Sequence, residues 1–213
     1  TVAPTTTTTT TLPAPRSFTD TSTADFAGGT FSNGATAVET GDGEVSLKPV
    51  VGSEFSGSSL PSGWTSTTLA TGGSSTVSGG ALIVTGASAG TTSTYGRDRS
   101  LEFVATFTGA ANESAGFGVD AATNEWAMFG TSTDNALYAR SRAGASAADT
   151  PLTGVALGVP HLFRIDWDRS GVVYSVNGVV RATHAVSSSA SLRLLVADGA
   201  TTDGAVVVDW MRM

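Results

Sequence analysis

Tyr138, Arg140 and Arg142 recur at every second position of the segment ALYARSRAG, and Trp126 stands one segment earlier, behind Asn124 and Glu125. In an extended strand, alternation places the first three side chains on one face. An indole or phenol ring offers a flat apolar platform to the C–H face of a sugar, while guanidinium and amide groups hydrogen-bond its hydroxyls. Asn124, Trp126, Tyr138, Arg140 and Arg142 are therefore the candidate ligand-binding set. The set holds together only if the turn through 132–135 brings Trp126 into matching register, because a slip of one residue sends it to the opposite face. The competing reading of the same residues is edge packing on a solvated sheet.

Other chemistries find less support. Asp166 and Asp168 flank Trp167 on a later hairpin and read as a solvated strand face, whereas Asp120 and Glu125 are separated by a turn-like AATN. His161 and His184 are the only histidines, too few for a three-histidine metal site. Cysteine is absent, which removes thiolate metal centres, disulfides and thiol catalysis. Gly41-Asp42-Gly43 and the GASAG stretch at 86–90 read as turns, with no helix behind them to receive a phosphate.

The elements that must position the candidate set are short strands. Phe163, Ile165 and Trp167 alternate with Arg164, Asp166 and Asp168, giving one apolar and one polar face. Asn177-Gly178 and Ser78-Gly79-Gly80 are hairpin turn signals. About ten to twelve strands of roughly five to eight residues, with no convincing helix, predict an all-β, two-sheet antiparallel sandwich. Ahead of it, residues 1–17 form a Thr/Pro-rich stretch that cannot bury enough apolar area to offset its ordering entropy. That composition predicts an extended linker of an extracellular or cell-surface protein.

Composition sets outer limits. The 213 residues are 40% hydrophobic and 14% charged, enough for one large sandwich core. A net charge of −7 argues against nucleic acid as a partner, since phosphate binding needs clustered Lys and Arg. No apolar run reaches the ~18 residues of a transmembrane helix. No signal peptide is visible, so the reading is of a mature chain or an excised piece.

Three segments carry a family resemblance. GSEFSGSSLPSGWTSTTLATGGSSTVSGGALIVTG, then PHLFRIDWDRSGVVYSVNGVVRAT, and finally VVVDWMRM follow one another in the order seen in laminarinase-like and laminin-G-like proteins. Residues 51–213 thus resemble the concanavalin A-like lectin/glucanase superfamily, which implies a jelly-roll sandwich, with residues 18–50 as appended N-terminal strands. The resemblance implies that Trp64 is packed, and that Asp209, in the closing strand, helps hold a structural calcium ion. It places Trp126 on the family's cleft strand. The Glu-x-Asp-x-Glu arrangement of the family's hydrolases does not occur in that region. The first reading is accordingly a non-catalytic module that binds a polysaccharide or glycoconjugate. The alternatives are a structural or adhesive spacer that contacts other surface-protein domains, and a hydrolase or lyase whose carboxylates converge from separate strands.

Overall fold

The computed structural model describes residues 24–25, 28–32, 34–38, 44–119, 123–202 and 204–213. It divides into two units, one ending at Lys48 and the other running from Pro49 to Met213. In the first unit, β1 (Ala35–Val38) pairs antiparallel with β2 (Glu44–Leu47). The Gly41-Asp42-Gly43 turn and the linker at 1–17 lie outside the described residues.

Among the described residues the second unit contains fifteen strands. They are β3 (Gly52–Ser53), β4 (Trp64–Thr68), β5 (Ser74–Ser78), β6 (Ala81–Thr85), β7 (Ala87–Thr91), β8 (Arg99–Thr106), β9 (Glu113–Gly118) and β10 (Glu125–Thr131). There follow β11 (Leu137–Ala143), β12 (Ser146–Pro151), β13 (His161–Trp167), β14 (Val172–Val176), β15 (Val179–His184), β16 (Arg193–Asp198) and β17 (Val206–Arg212). One sheet runs β12-β11-β10-β9-β16-β7-β4, and the other β15-β14-β13-β8-β17-β6-β5, with β3 added beside the end of β17. The fold is the expected two-sheet antiparallel sandwich, with more and shorter strands than the turn signals implied. GASAG is the clearest correction. It is not a turn but leads into β7, which is buried at all five of its positions. Backbone crowding explains its glycine: a Cβ on Gly90 would come within 2.4 Å of the Leu194 carbonyl oxygen.

The core lies between the sheets and is aromatic at its centre. Phe129 sits 4.7 Å from Phe163 and 5.2 Å from Tyr174, ring centroid to centroid, and Phe103 stacks on Phe163 at 5.4 Å. Such pairs add about 0.5–1.5 kcal/mol each beyond the area they bury. Trp167 is 1% exposed and packs on Phe117, and Trp64 packs edge-on against Phe55, so both are core residues. Trp210 is also buried, beneath the Arg212 guanidinium at 4.1 Å. Two-residue turns close the hairpins at Gly79-Gly80 and Asn177-Gly178, and all four residues have positive φ, as a hairpin turn that follows the strand twist requires.

Candidate functional site

Strand pairing decides which side chains share the outer face of the β12-to-β4 sheet. Directly opposed residues of antiparallel strands point the same way. Trp126 opposes Arg142 on β11 and Gly118 on β9, and Gly118 in turn opposes Arg193 on β16. One row across four strands therefore reads Arg142, Trp126, Gly118, Arg193. The next row reads Arg140, Met128, Gly116, Leu195, and the one after it Tyr138, Gly130, Ser114, Ala197. The required register is the one present, and Trp126 shares its face with Tyr138, Arg140 and Arg142. Phe117, Phe129 and Leu194 alternate onto the other face and into the core.

An open groove of about 290 Å³ runs across these rows, lined by Trp126, Met128, Arg140, Arg142 and Leu195 among others. That is at the small end of the range for ligand pockets, roughly 300–1,000 Å³. Gly130 lines it, and a Cβ there would come within 2.8 Å of the Glu113 carbonyl oxygen. In the neighbouring rows a Cβ at Gly116 would come within 2.5 Å of the Ala127 carbonyl oxygen, and one at Gly118 would press on Leu195 and Met128.

The candidate residues differ in what they leave free. Arg142 lies over the half-buried Trp126 ring at 5.4 Å and donates from Nε to the Gly144 carbonyl. It meets no carboxylate among the described residues. Arg140 is paired with Asp149 through two bonds, of 3.2 and 2.9 Å. The Tyr138 hydroxyl donates to Asp134 at 2.5 Å, which holds the Asp134 carboxyl below its ordinary range. Tyr138 shares the face but does not line the groove. Asn124 is exposed just ahead of β10, where its backbone carbonyl accepts from Gly144 N–H. Sequence reasoning missed Arg193. No local pattern marks it, because its place in the row depends on the pairing of β16 with β9, distant in the chain.

Carboxylates from separate strands do converge, at Glu113 on β9 and Asp198 on β16, which oppose each other. Both are 1% exposed, and they alternate with Ala115 and Val196 on the core face. Glu113 reaches the end of the groove, but its oxygens accept from Thr108 N–H, Thr108 Oγ1 and Gly109 N–H. Burial raises its pKa, and the nearby Asp198 adds to this, while those hydrogen bonds pull the other way. Asp198 Oδ1 accepts from Ala200 N–H. The pair ties down loops at the sheet's end.

The remaining candidates have structural partners. Asp166 is held by Arg164 and by Ser100 Oγ, while Asp168 Oδ1 accepts from Ser170 and Gly171 in the β13–β14 turn. This is the solvated face expected of them. His161 bonds Asn177 and the Ala156 carbonyl. Ser88, central in a G-x-S-x-G spacing, lies inside β7 and not on a strand-to-helix elbow. Asp209 occupies a β-bulge, where the pairing of β17 with β8 shifts between Val208 and Trp210. Desolvation raises its pKa. Among the described residues no group of three or more His, Asp or Glu side chains surrounds it, so side chains alone do not supply calcium's six to eight oxygens.

Two sheets in this order, with an open groove across one of them, define the concanavalin A-like glucanase fold. Solved structures with that fold include an endo-β-1,3-glucanase from Pyrococcus furiosus, at TM-score 0.57 and 11% identity over 85% of this chain and 97% of that one. A β-1,3-glucanase from Mycobacterium marinum matches at 0.54 and 14% identity, over 77% and 97% of the two chains. An immunostimulatory antigen and pseudo β-1,3-glucanase of Mycobacterium tuberculosis matches at 0.56 and 14%, again over 77% and 97%. No protein-family model and no curated protein matches the chain. No helix among the described residues is long and apolar enough to cross a membrane.

Proposed function

We propose that this chain is a non-catalytic carbohydrate-binding module of an extracellular or cell-surface protein, and that the groove over β9, β10 and β11 is its binding face. The observation that carries the reading is Trp126, half-buried in an open groove on the outer face, with arginine beside it. The kinship of fold with glucanases points to the same ligand class. Glycoside hydrolysis needs two carboxyl groups facing the scissile bond, roughly 5–9.5 Å apart. Among the described residues the groove offers one, Glu113, whose oxygens are already engaged. A binding role uses what the described residues of the groove offer; hydrolysis needs a second carboxyl group that they do not supply.

The test is one variant and two measurements. Trp126→Ala is expected to weaken polysaccharide binding by about 1–3 kcal/mol, the scale of one large side chain losing its contact, with little change in melting temperature. A core role predicts the reverse, a loss of about 3–5 kcal/mol of stability. Wild-type protein that binds nothing on a glycan array favours the spacer reading, and release of reducing ends from a polysaccharide favours the hydrolase.

A further inference from the structure

We propose that the glycan taken by this face is anionic, a polysaccharide carrying carboxylate or sulfate groups, held between Arg142 and Arg193 with Trp126 as the platform between them. This inference rests on the binding reading above and names its ligand class.

The row itself makes the case. Arg142 and Arg193 stand at the two ends of one straight register line, three strand spacings or roughly 14 Å apart along the sheet. Between them lie Trp126 and Gly118, and the ends of the Met128 and Leu195 side chains lean over Gly118, so the floor between the ring and Arg193 is apolar. Each guanidinium is anchored through Nε alone, Arg142 to the Gly144 carbonyl and Arg193 to that of Val119 at 2.7 Å. Carbonyl anchors fix the orientation of a guanidinium and leave its full charge in place. Its terminal nitrogens, the pair that forms forked bonds to carboxylate or sulfate, have no partner among the described residues.

The contrast with Arg140 sharpens the point. Arg140 stands one row away and is neutralised by Asp149 through Nε and one terminal nitrogen. On the opposite sheet Arg164 is likewise engaged by Asp166 and Glu102. In a chain of net charge −7, two arginines without a carboxylate partner among the described residues flank a half-buried indole, one lining the groove and one just outside it, and make a local positive strip. A neutral glucan would use the ring and waste the charges. An acidic chain, with anionic groups spaced along its length, uses both.

The experiment compares probes on the intact chain: polygalacturonate for carboxylate, a sulfated galactan for sulfate ester, laminarin as the neutral glycan, and polyphosphate as a polyanion without sugar rings. At low salt, one of the two acidic glycans is expected to bind at least on the order of tenfold more tightly than laminarin, and the better of them identifies the anionic group. That affinity should fall as salt rises, since exposed charges are screened. Arg142→Gln and Arg193→Gln are each expected to cost on the order of tenfold for the acidic probe, the scale of one charged hydrogen bond. The loss for laminarin should be clearly smaller than the loss for the acidic probe. Arg193→Lys keeps the charge and should retain most of the affinity, which separates lost charge from disturbed folding. Laminarin bound as tightly as the acidic probes, salt-independent binding, or polyphosphate bound equally well would each overturn the inference. In the first two cases the carbohydrate reading stands if Trp126→Ala still weakens binding. Failure to bind any of the glycans overturns both.

Discussion

Behind the groove, Tyr174 links the two sheets through a run of buried hydrogen bonds. Its hydroxyl donates to the Arg140 carbonyl at 2.5 Å and meets Ser141 Oγ at 2.7 Å. Ser141 Oγ in turn lies 2.9 Å from His184 Nδ1, and His184 Nε2 lies 2.9 Å from Thr150 Oγ1. One direction satisfies all of them: Thr150 donates to a neutral His184, His184 to Ser141, Ser141 to Tyr174, and Tyr174 to the strand that carries Arg140. Tyr174→Phe removes the last link and strands Ser141 inside the core, an expected loss of about 1–3 kcal/mol by denaturant unfolding. The run also makes stability depend on pH. Burial lowers the His184 pKa from its ordinary 6.5, although the charge of Asp149 opposes this. The unfolded chain therefore takes up a proton before the folded one does, and the contribution of His184 is complete above pH 6.5 and declines below it. Glu113 and Asp209 act in the opposite sense, because their raised pKa values favour the folded state at low pH and that advantage fades as pH rises. A melting temperature that falls between pH 7.5 and pH 5.5, and a flatter profile in His184→Asn, are the expected outcomes; equal slopes would assign the effect elsewhere. Alternation alone placed Tyr138, Arg140 and Arg142 on a common face. It could not show that Asp134 and Asp149 occupy two of them, because those contacts depend on the turn and the edge strand that follow.

At the scale of the element, turn chemistry was the most legible feature of the chain. Gly79-Gly80 and Asn177-Gly178 each have the positive φ that only such residues adopt cheaply, and both hairpins form where expected. Strand β7 was illegible for a physical reason: Ala, Ser and Gly lack the β-branched signature of a strand. Gly90 is used here because the Leu194 carbonyl comes too close for a Cβ. The β17 bulge is another such feature. Strand β17 pairs with β6 up to Val208 and with β3 from Met211 onward, so Asp209 and Trp210 fall at the handover. A calcium ion at Asp209 would draw its remaining oxygens from backbone carbonyls freed at this handover and from water. If it binds there, the melting temperature will be higher in calcium than in chelator, and Asp209→Asn will erase the difference. Superimposable melting curves in the two conditions would eliminate the ion.

For the molecule as a whole, the sandwich from Pro49 to Met213 has a continuous core of its own. Deleting residues 1–17, whose composition has almost nothing apolar to bury, is expected to leave its melting temperature unchanged. A drop of several degrees would show that the segment packs somewhere. The opposite end behaves differently. Strand β17 is the last of the strands in sequence, yet it lies inside its sheet, between β8 on one side and β6 and β3 on the other. Without it the sheet splits into two parts, and Val206, Val208 and Met211 leave the core. Removing residues 206–213 should therefore abolish cooperative unfolding altogether. The same placement governs timing during synthesis. A chain emerging from its N-terminus makes its hairpins early, but the sandwich has no middle until residues 206–213 are free, so completion of the fold waits for β17 however early the other strands have paired.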